Sequence, residues 1–262
     1  MKKATTPTII ITIAVIAIIL ATVYVAYPNR PTSCTTAVRF IAIVGDITGA
    51  QDISIGTTSS PEADEDTILS ELQSANNDRS VKVIVLLIDS NGGNPETAEE
   101  IVQEMSHIHK PKFALIRSHG DSAAYWIATA ADKIYAFPTS DVGDIGVTDS
   151  YLSNAQQNTQ NGLQFIPLTS GPYKDTGNPD KPVTQADKDF LMIGVMQDYD
   201  IFLSAVSTNR DLPFAQVKAL ADGSSVLGDV GVADGLIDSD GGWDALWQEL
   251  DKDINMQCYS VE

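Results

Sequence analysis

Residues 81–88 read VKVIVLLI, and this nearly unbroken apolar run ends in DSNGG at 89–93. A strand with one wet face alternates apolar and polar residues. A strand without that alternation is buried on both faces, which is the habit of a parallel sheet covered by helices on two sides. The flanking segments agree. AVRFIAIVGDI (37–47), KFALI (112–116) and KIYAF (133–137) carry strand character. TILSELQSA (67–75), ETAEEIVQEM (96–105) and AAYWIATAA (123–131) carry helical spacing, with Ile68, Leu69, Leu72 and Ala75 on one face. Residues 48–66, rich in Gly, Ser, Thr, Pro and acids, read as an exposed loop. Strand and helix alternate, so the expected fold class is α/β with a largely parallel sheet and flanking helices.

The second half is more helical. Thr184 and Asp187 have the spacing of a capping box and open a helix expected to reach about Arg210. Phe190, Ile193, Tyr199, Phe202 and Val206 are its expected buried stripe. LQFIPLT (163–169) reads as a strand, and FAQVKALA (214–221) and GWDALWQEL (242–250) as two shorter helices. No internal repeat appears. The reading divides the chain into a cytoplasmic N-terminus (1–7), a transmembrane signal anchor (8–27), a linker (28–37), one domain (38–250) and a C-terminal tail (251–262).

The anchor rests on TIIITIAVIAIILATVYVAY, 20 uncharged residues at 8–27. As a helix they span about 30 Å, the thickness of a bilayer's hydrocarbon core. Lys2 and Lys3 precede the span and only Arg30 closely follows it, which predicts a cytoplasmic N-terminus and an extracytoplasmic domain. An uncleaved anchor is preferred to a cleaved signal peptide. The apolar stretch exceeds a signal peptide's core, and a cut after Ala26 would put bulky Tyr24 at the −3 position. The chain has 16 basic and 35 acidic residues. Without Lys2, Lys3 and Arg30, the part from residue 31 holds 13 basic and 35 acidic groups, a net −22. Such a surface repels phosphate backbones, so nucleic acid is not an expected partner. Cys34 and Cys258 are the two cysteines. Outside the cytoplasm they could pair or stay free, and sequence does not decide between the two. No Cys/His cluster has metal-ligand spacing.

Three stretches could carry chemistry. The Gly pair of DSNGG, at a strand's C-terminal end, is either a plain turn or a place where backbone N–H groups face a ligand. Ser122, in HGDSAAYWIA (119–128), opens a helix at the same predicted sheet edge. It is either an N-cap or a nucleophile. The three histidines, His107, His109 and His119, all precede Ser122, which excludes the Ser…Asp/Glu…His order of α/β-hydrolases. Lys174, in TSGPYKDTGNP (169–179), is either a surface lysine or a base. As a base it must be neutral, so burial has to bring its pKa down from about 10.4 by roughly 2–3 units.

Taken together, DSNGG (89–93), DSAAYWIA (121–128), GDIGV (143–147) and GPYK (171–174) resemble, in order and spacing, the motifs of the signal peptide peptidase family. These are serine–lysine peptidases of the crotonase-like, Clp-peptidase-like fold, here in a half-length single-domain form. FLSAVSTNR (202–210), LADGSSVLGDVGVADGLID (220–238) and GGWDAL (241–246) extend the likeness, which covers about residues 38–250. The resemblance implies Ser122 as nucleophile and Lys174 as general base. It assigns the oxyanion-hole N–H groups to Gly93 and Ala123. It implies no metal or organic cofactor. The implied substrates are cleaved signal peptides and other short or unfolded chains. The implied assembly is a homo-oligomeric ring or dome in which neighbouring subunits help build the substrate groove. The implied setting is a membrane anchor carrying an extracytoplasmic domain.

Three positions depart from the family pattern. Ala123 and Ala124 replace two glycines, keeping the N–H groups and favouring helix. Asn91 replaces the proline of the turn. Asp144 replaces a serine, and a carboxylate near the lysine would hold it protonated. Either Asp144 points elsewhere, or it is itself protonated, or the enzyme is weak. The competing reading is an anchored peptide-binding scaffold that keeps the architecture without the chemistry. An acyl-CoA-handling crotonase relative fits the acidic, exported domain poorly.

Overall fold

The computed structural model describes residues 38–49 and 62–253. Segments 8–27 and 28–37, both cysteines and the tail from residue 254 lie outside the described residues.

The central sheet is built around β4 (Val83–Ser90), whose Val83, Ile84, Val85, Leu86 and Ile88 are all buried. β1 (Val38–Val44) pairs with it in parallel on one side and β5 (Lys112–Asp121) on the other. β5 changes partner along its length. Its first half pairs in parallel with β6 (Lys133–Ala136), through Phe113 to Ile116. Its last three residues pair in parallel with β7 (Asp141–Gly143). β8 (Ser225–Leu227) closes that edge antiparallel to β7. Outside this sheet, β2 (Asp46–Thr48) and β3 (Glu62–Asp64) form a small parallel pair. β3 occupies the end of the stretch read from sequence as loop.

The helices come where the apolar periodicity puts them. α1 (Glu65–Asn77) is capped by Asp64 and buries Ile68, Leu72 and Ala75. α2 (Pro95–Ser106) starts with Asn94 as cap and Pro95 at its first position, where the missing N–H breaks no helical bond. α3 (Ala123–Thr129) is buried on all sides. α4 (Ala155–Gln160) buries nothing. α5 (Gln185–Asn209) opens with the expected Thr184/Asp187 capping box, and Arg210 is its C-cap. α6 (Phe214–Leu220), α7 (Gly228–Asp234) and α8 (Gly242–Asp253) complete the domain.

Two expectations are corrected. Residues 163–169 are not a strand: Leu163, Ile166 and Leu168 project into solvent, Leu168 being 95% exposed, and the segment has no ladder partner among the described residues. The buried face of α5 is Phe202, Leu203 and Val206 with partly buried Tyr199, while Phe190 and Ile193 are exposed. Only the C-terminal part of α5 reaches the core, where Phe202 stacks on Trp126 at 5.1 Å. Among the described residues α5 is also the one helix long and apolar enough to cross a membrane. Phe202→Ala removes a fully packed ring, so urea unfolding of the variant is expected to show a loss of about 3–5 kcal/mol.

Candidate active site

The site begins where β4 ends. Gly92 and Gly93 have φ values of +105° and +151°, and both are hemmed in by backbone. A Cβ on Gly93 would lie 2.2 Å from the carbonyl oxygen of Ile47, and one on Gly92 would lie 2.8 Å from Cβ of Ser122. The turn therefore needs glycine twice, once to meet β2 and once to meet the serine. Ile47 donates its N–H to Gly92 O (3.0 Å) and accepts from Asn94 N (2.9 Å). That parallel bridge uses the groups on either side of Gly93 and leaves the N–H of Gly93 directed away from β2.

Ser122 joins β5 to α3 with φ 52° and ψ −125°. A non-glycine residue in this region is strained. Two bonds hold it there. Its N–H donates to Gly143 O at 2.8 Å, and its C=O accepts from Trp126 N at 3.0 Å. The serine stands at the N-cap position, yet its hydroxyl makes no capping bond. The N-cap reading is thereby set aside. Ala123, in the first helical turn, has an N–H with no intrahelical acceptor. Neither that N–H nor that of Gly93 bonds to another described residue.

Gly93, Ser122, Ala123 and Asp144 line one cleft of about 470 Å³. Its other wall is apolar, formed by Trp126 of α3 and by Val195, Met196, Tyr199 and Phe202 of α5. Sequence periodicity marked Tyr199 and Phe202 as core, without signalling that they face a cleft. Asp144, with φ 47°, is fixed by its N–H to Ser224 O, and burial raises its carboxyl above the ordinary range.

Asp121 was not foreseen as a site residue, although an acid directly before Ser122 in HGDS was the available signal. It is 7% exposed, and its Oδ1 has no hydrogen-bond partner among the described residues. Burial first, then the charges of Asp144 and Asp141, push its pKa from 3.8 to about 6. His119 does not serve the serine. Its Nδ1 lies 3.5 Å from Asp89 and its Nε2 3.7 Å from Asp141. His107 and His109 are exposed beyond α2.

Lys174 is the expected residue that does not join the group. It is exposed, in a run of turns, and does not line the cleft. Its loop is nonetheless well anchored. Tyr173 stacks on Phe190 at 4.4 Å. The buried carboxylate of Asp187 accepts from Thr176 Oγ1 (3.1 Å), Lys181 Nζ (2.7 Å) and Thr184 Oγ1 (2.6 Å), and these bonds hold it far below the usual carboxylate range. Among the described residues, no group of three or more His, Cys, Asp or Glu could hold a metal.

The profile of Peptidase family S49 matches residues 104–257, more than half of the chain, and that of Clp protease matches residues 35–142. The chain belongs to peptidase family S49. It is 31% identical over 176 residues to a protein of Enterococcus faecium provisionally named signal peptide peptidase SppA, covering 66% of this chain and 51% of that one. It is 30% identical over 221 residues to Protease 4 of Haemophilus influenzae, covering 79% of this chain and 36% of that protein. The chain thus spans about half, or less, of the length of these relatives.

The Asp121 carboxyl makes a stability prediction. Its pKa is raised in the fold, so its contribution is fully present below about pH 4 and is lost as pH rises through about 6. The shift corresponds to at most about 3 kcal/mol, and partial screening by solvent lowers this to about 2. Urea unfolding of Asp121→Asn should therefore lack a decline of that size between pH 4 and 7 that the unsubstituted protein shows.

Proposed function

We propose that this chain is a membrane-anchored serine endopeptidase acting on short or unfolded peptides, cleaved signal peptides among them. The observation that carries the reading is Ser122: strained, free of any capping duty, and facing a cleft beside two unengaged N–H groups. Ser122 is the nucleophile. The N–H groups of Gly93 and Ala123 receive the oxyanion. Neutral Lys174 takes the proton from Ser122 Oγ as it attacks the peptide carbonyl, then gives it to the departing amine. Water, with its proton taken by Lys174, releases the acyl-enzyme. No cofactor enters this scheme. The apolar wall of Trp126, Met196 and Phe202 suits apolar side chains, and the segment 8–27 would hold the domain at the bilayer where such peptides are left.

For Lys174 to act, its loop must meet Ser122, and in one chain it stands outside the cleft. The reading therefore includes a homo-oligomer, in a ring or dome, in which one copy's loop completes another's site. Support comes from the apolar residues left in solvent in residues 152–168 and on α5: Leu152, Leu163, Ile166, Leu168, Met192 and Ile193. A surface of this kind marks an interaction site. The second reading, a peptide-binding scaffold, draws on Asp144, which lines the cleft beside Ser122. Burial disfavours the ionised form of Asp144, which counts against its holding the lysine as a cation.

Cleavage of an unfolded protein by the assembled domain tests the proposal. Ser122→Ala and Lys174→Ala should each lower kcat at least a thousandfold with assembly intact. Peptide binding without turnover in the unsubstituted protein would instead favour the scaffold.

A further inference from the structure

Asp121 directly precedes Ser122 and Asp144 lines the same cleft as Ser122, and the scheme above uses neither. Asp121 ends β5, and its backbone is in register with Gly143, so Asp144 follows directly on the neighbouring strand. The charged groups around Asp121 are mostly of its own sign. β7 contributes Asp141 and the turn after it Asp144; β5 itself contributes His119. His119 is already set between Asp141 and Asp89 of β4. Among the described residues, no lysine or arginine is among the groups that act on Asp121. An ionised carboxylate with a buried, partnerless oxygen and a second carboxyl beside it is unfavourable, and such a pair retains a proton instead.

We infer that Asp121, in concert with Asp144, is a charge gate on Ser122, so that acylation proceeds readily only while Asp121 is neutral. This rests on the reading of Ser122 as nucleophile. The argument is positional. The Gly92–Gly93 turn lies directly on the Asp121–Ala123 backbone: a Cβ on Gly92 would be 3.0 Å from Asp121 O and 3.1 Å from Ala123 N. Asp121 directly precedes Ser122 in the chain, and its carboxyl lies within range of the charge of Asp144, which lines the cleft, so negative charge developing at the N–H groups of Gly93 and Ala123 also acts on it. An ionised Asp121 opposes that charge. It also favours the ammonium form of any lysine brought to Ser122. Both effects slow acylation. The proton-binding midpoint of Asp121, at about 6, places the change near neutrality. Asp121 touches no reacting atom in this account. It acts through its charge, and Asp144 sets the pH at which that charge appears.

The test is the rate of Ser122 phosphonylation by a peptidyl fluorophosphonate, followed by intact mass from pH 5 to 9 on the full assembled protein. Ser122→Ala gives the background. The ratio of the Asp121→Asn rate to the unsubstituted rate should grow about tenfold between pH 5 and pH 8. In Asp144→Asn, where Asp121 loses the like charge that acts on it most, the pH at which the slowing sets in should move down. Glu99→Gln, an exposed acid on α2, should give a flat ratio. A flat ratio for Asp121→Asn in an assembly that labels at Ser122 would overturn the gate and leave the nucleophile reading standing. The absence of Ser122-dependent labelling at every pH would overturn both.

Discussion

The site depends on one feature of strand pairing: β5 gives up β6 and takes β7 as its partner before it ends. β4 and β5 run parallel, so their C-terminal ends reach the same edge of the sheet. The turn after β4 and the junction after β5 are thus brought together with no need for a long loop. The switch to β7 adds Gly143, whose carbonyl accepts the N–H of Ser122 and holds the serine at positive φ. Without that bond the junction could relax into an ordinary helix start, with the hydroxyl turned to cap α3.

This arrangement carries a cost in local stability. Ser122 is strained, Asp121 is a buried acid whose Oδ1 has no hydrogen-bond partner among the described residues, and two glycines hold conformations that other residues rarely adopt. Each would be expected to destabilise the fold by about 1–3 kcal/mol if uncompensated. The compensation is the dry core beneath, from Ile84, Leu86 and Ile88 of β4 to Tyr125 and Ile127 of α3. Strain gathered at one cleft over a well-packed sheet is what a preorganised reaction site looks like.

Where structure follows from short-range patterns, the sequence was readable. The apolar run at 81–88 marked the central strand, the Thr184/Asp187 spacing marked the start of α5, and DSNGG and Ser122 fell at the same sheet edge. The misreadings fall where burial depends on something beyond the local pattern. Residues 163–169 have strand composition, yet Leu163 and Leu168 stay exposed among the described residues. Phe190 and Ile193 repeat at helical spacing, but the part of α5 that packs into the core is its C-terminal half. Asp121 escaped notice because its significance is electrostatic: it comes from Asp141 and Asp144, 20 and more residues away, which only the β5–β7 pairing brings near. Lys174 was legible as a motif, but not as a position in space.

The central claim is that the fold prepares Ser122, and not another hydroxyl, for attack on a carbonyl. Peptide mapping of the assembled protein after reaction with a peptidyl fluorophosphonate tests it most directly. The account predicts one adduct per chain, carried by the peptide containing Ser122 and absent when the protein is unfolded before labelling. Labelling spread over several serines, or equal labelling of folded and unfolded protein, would contradict it.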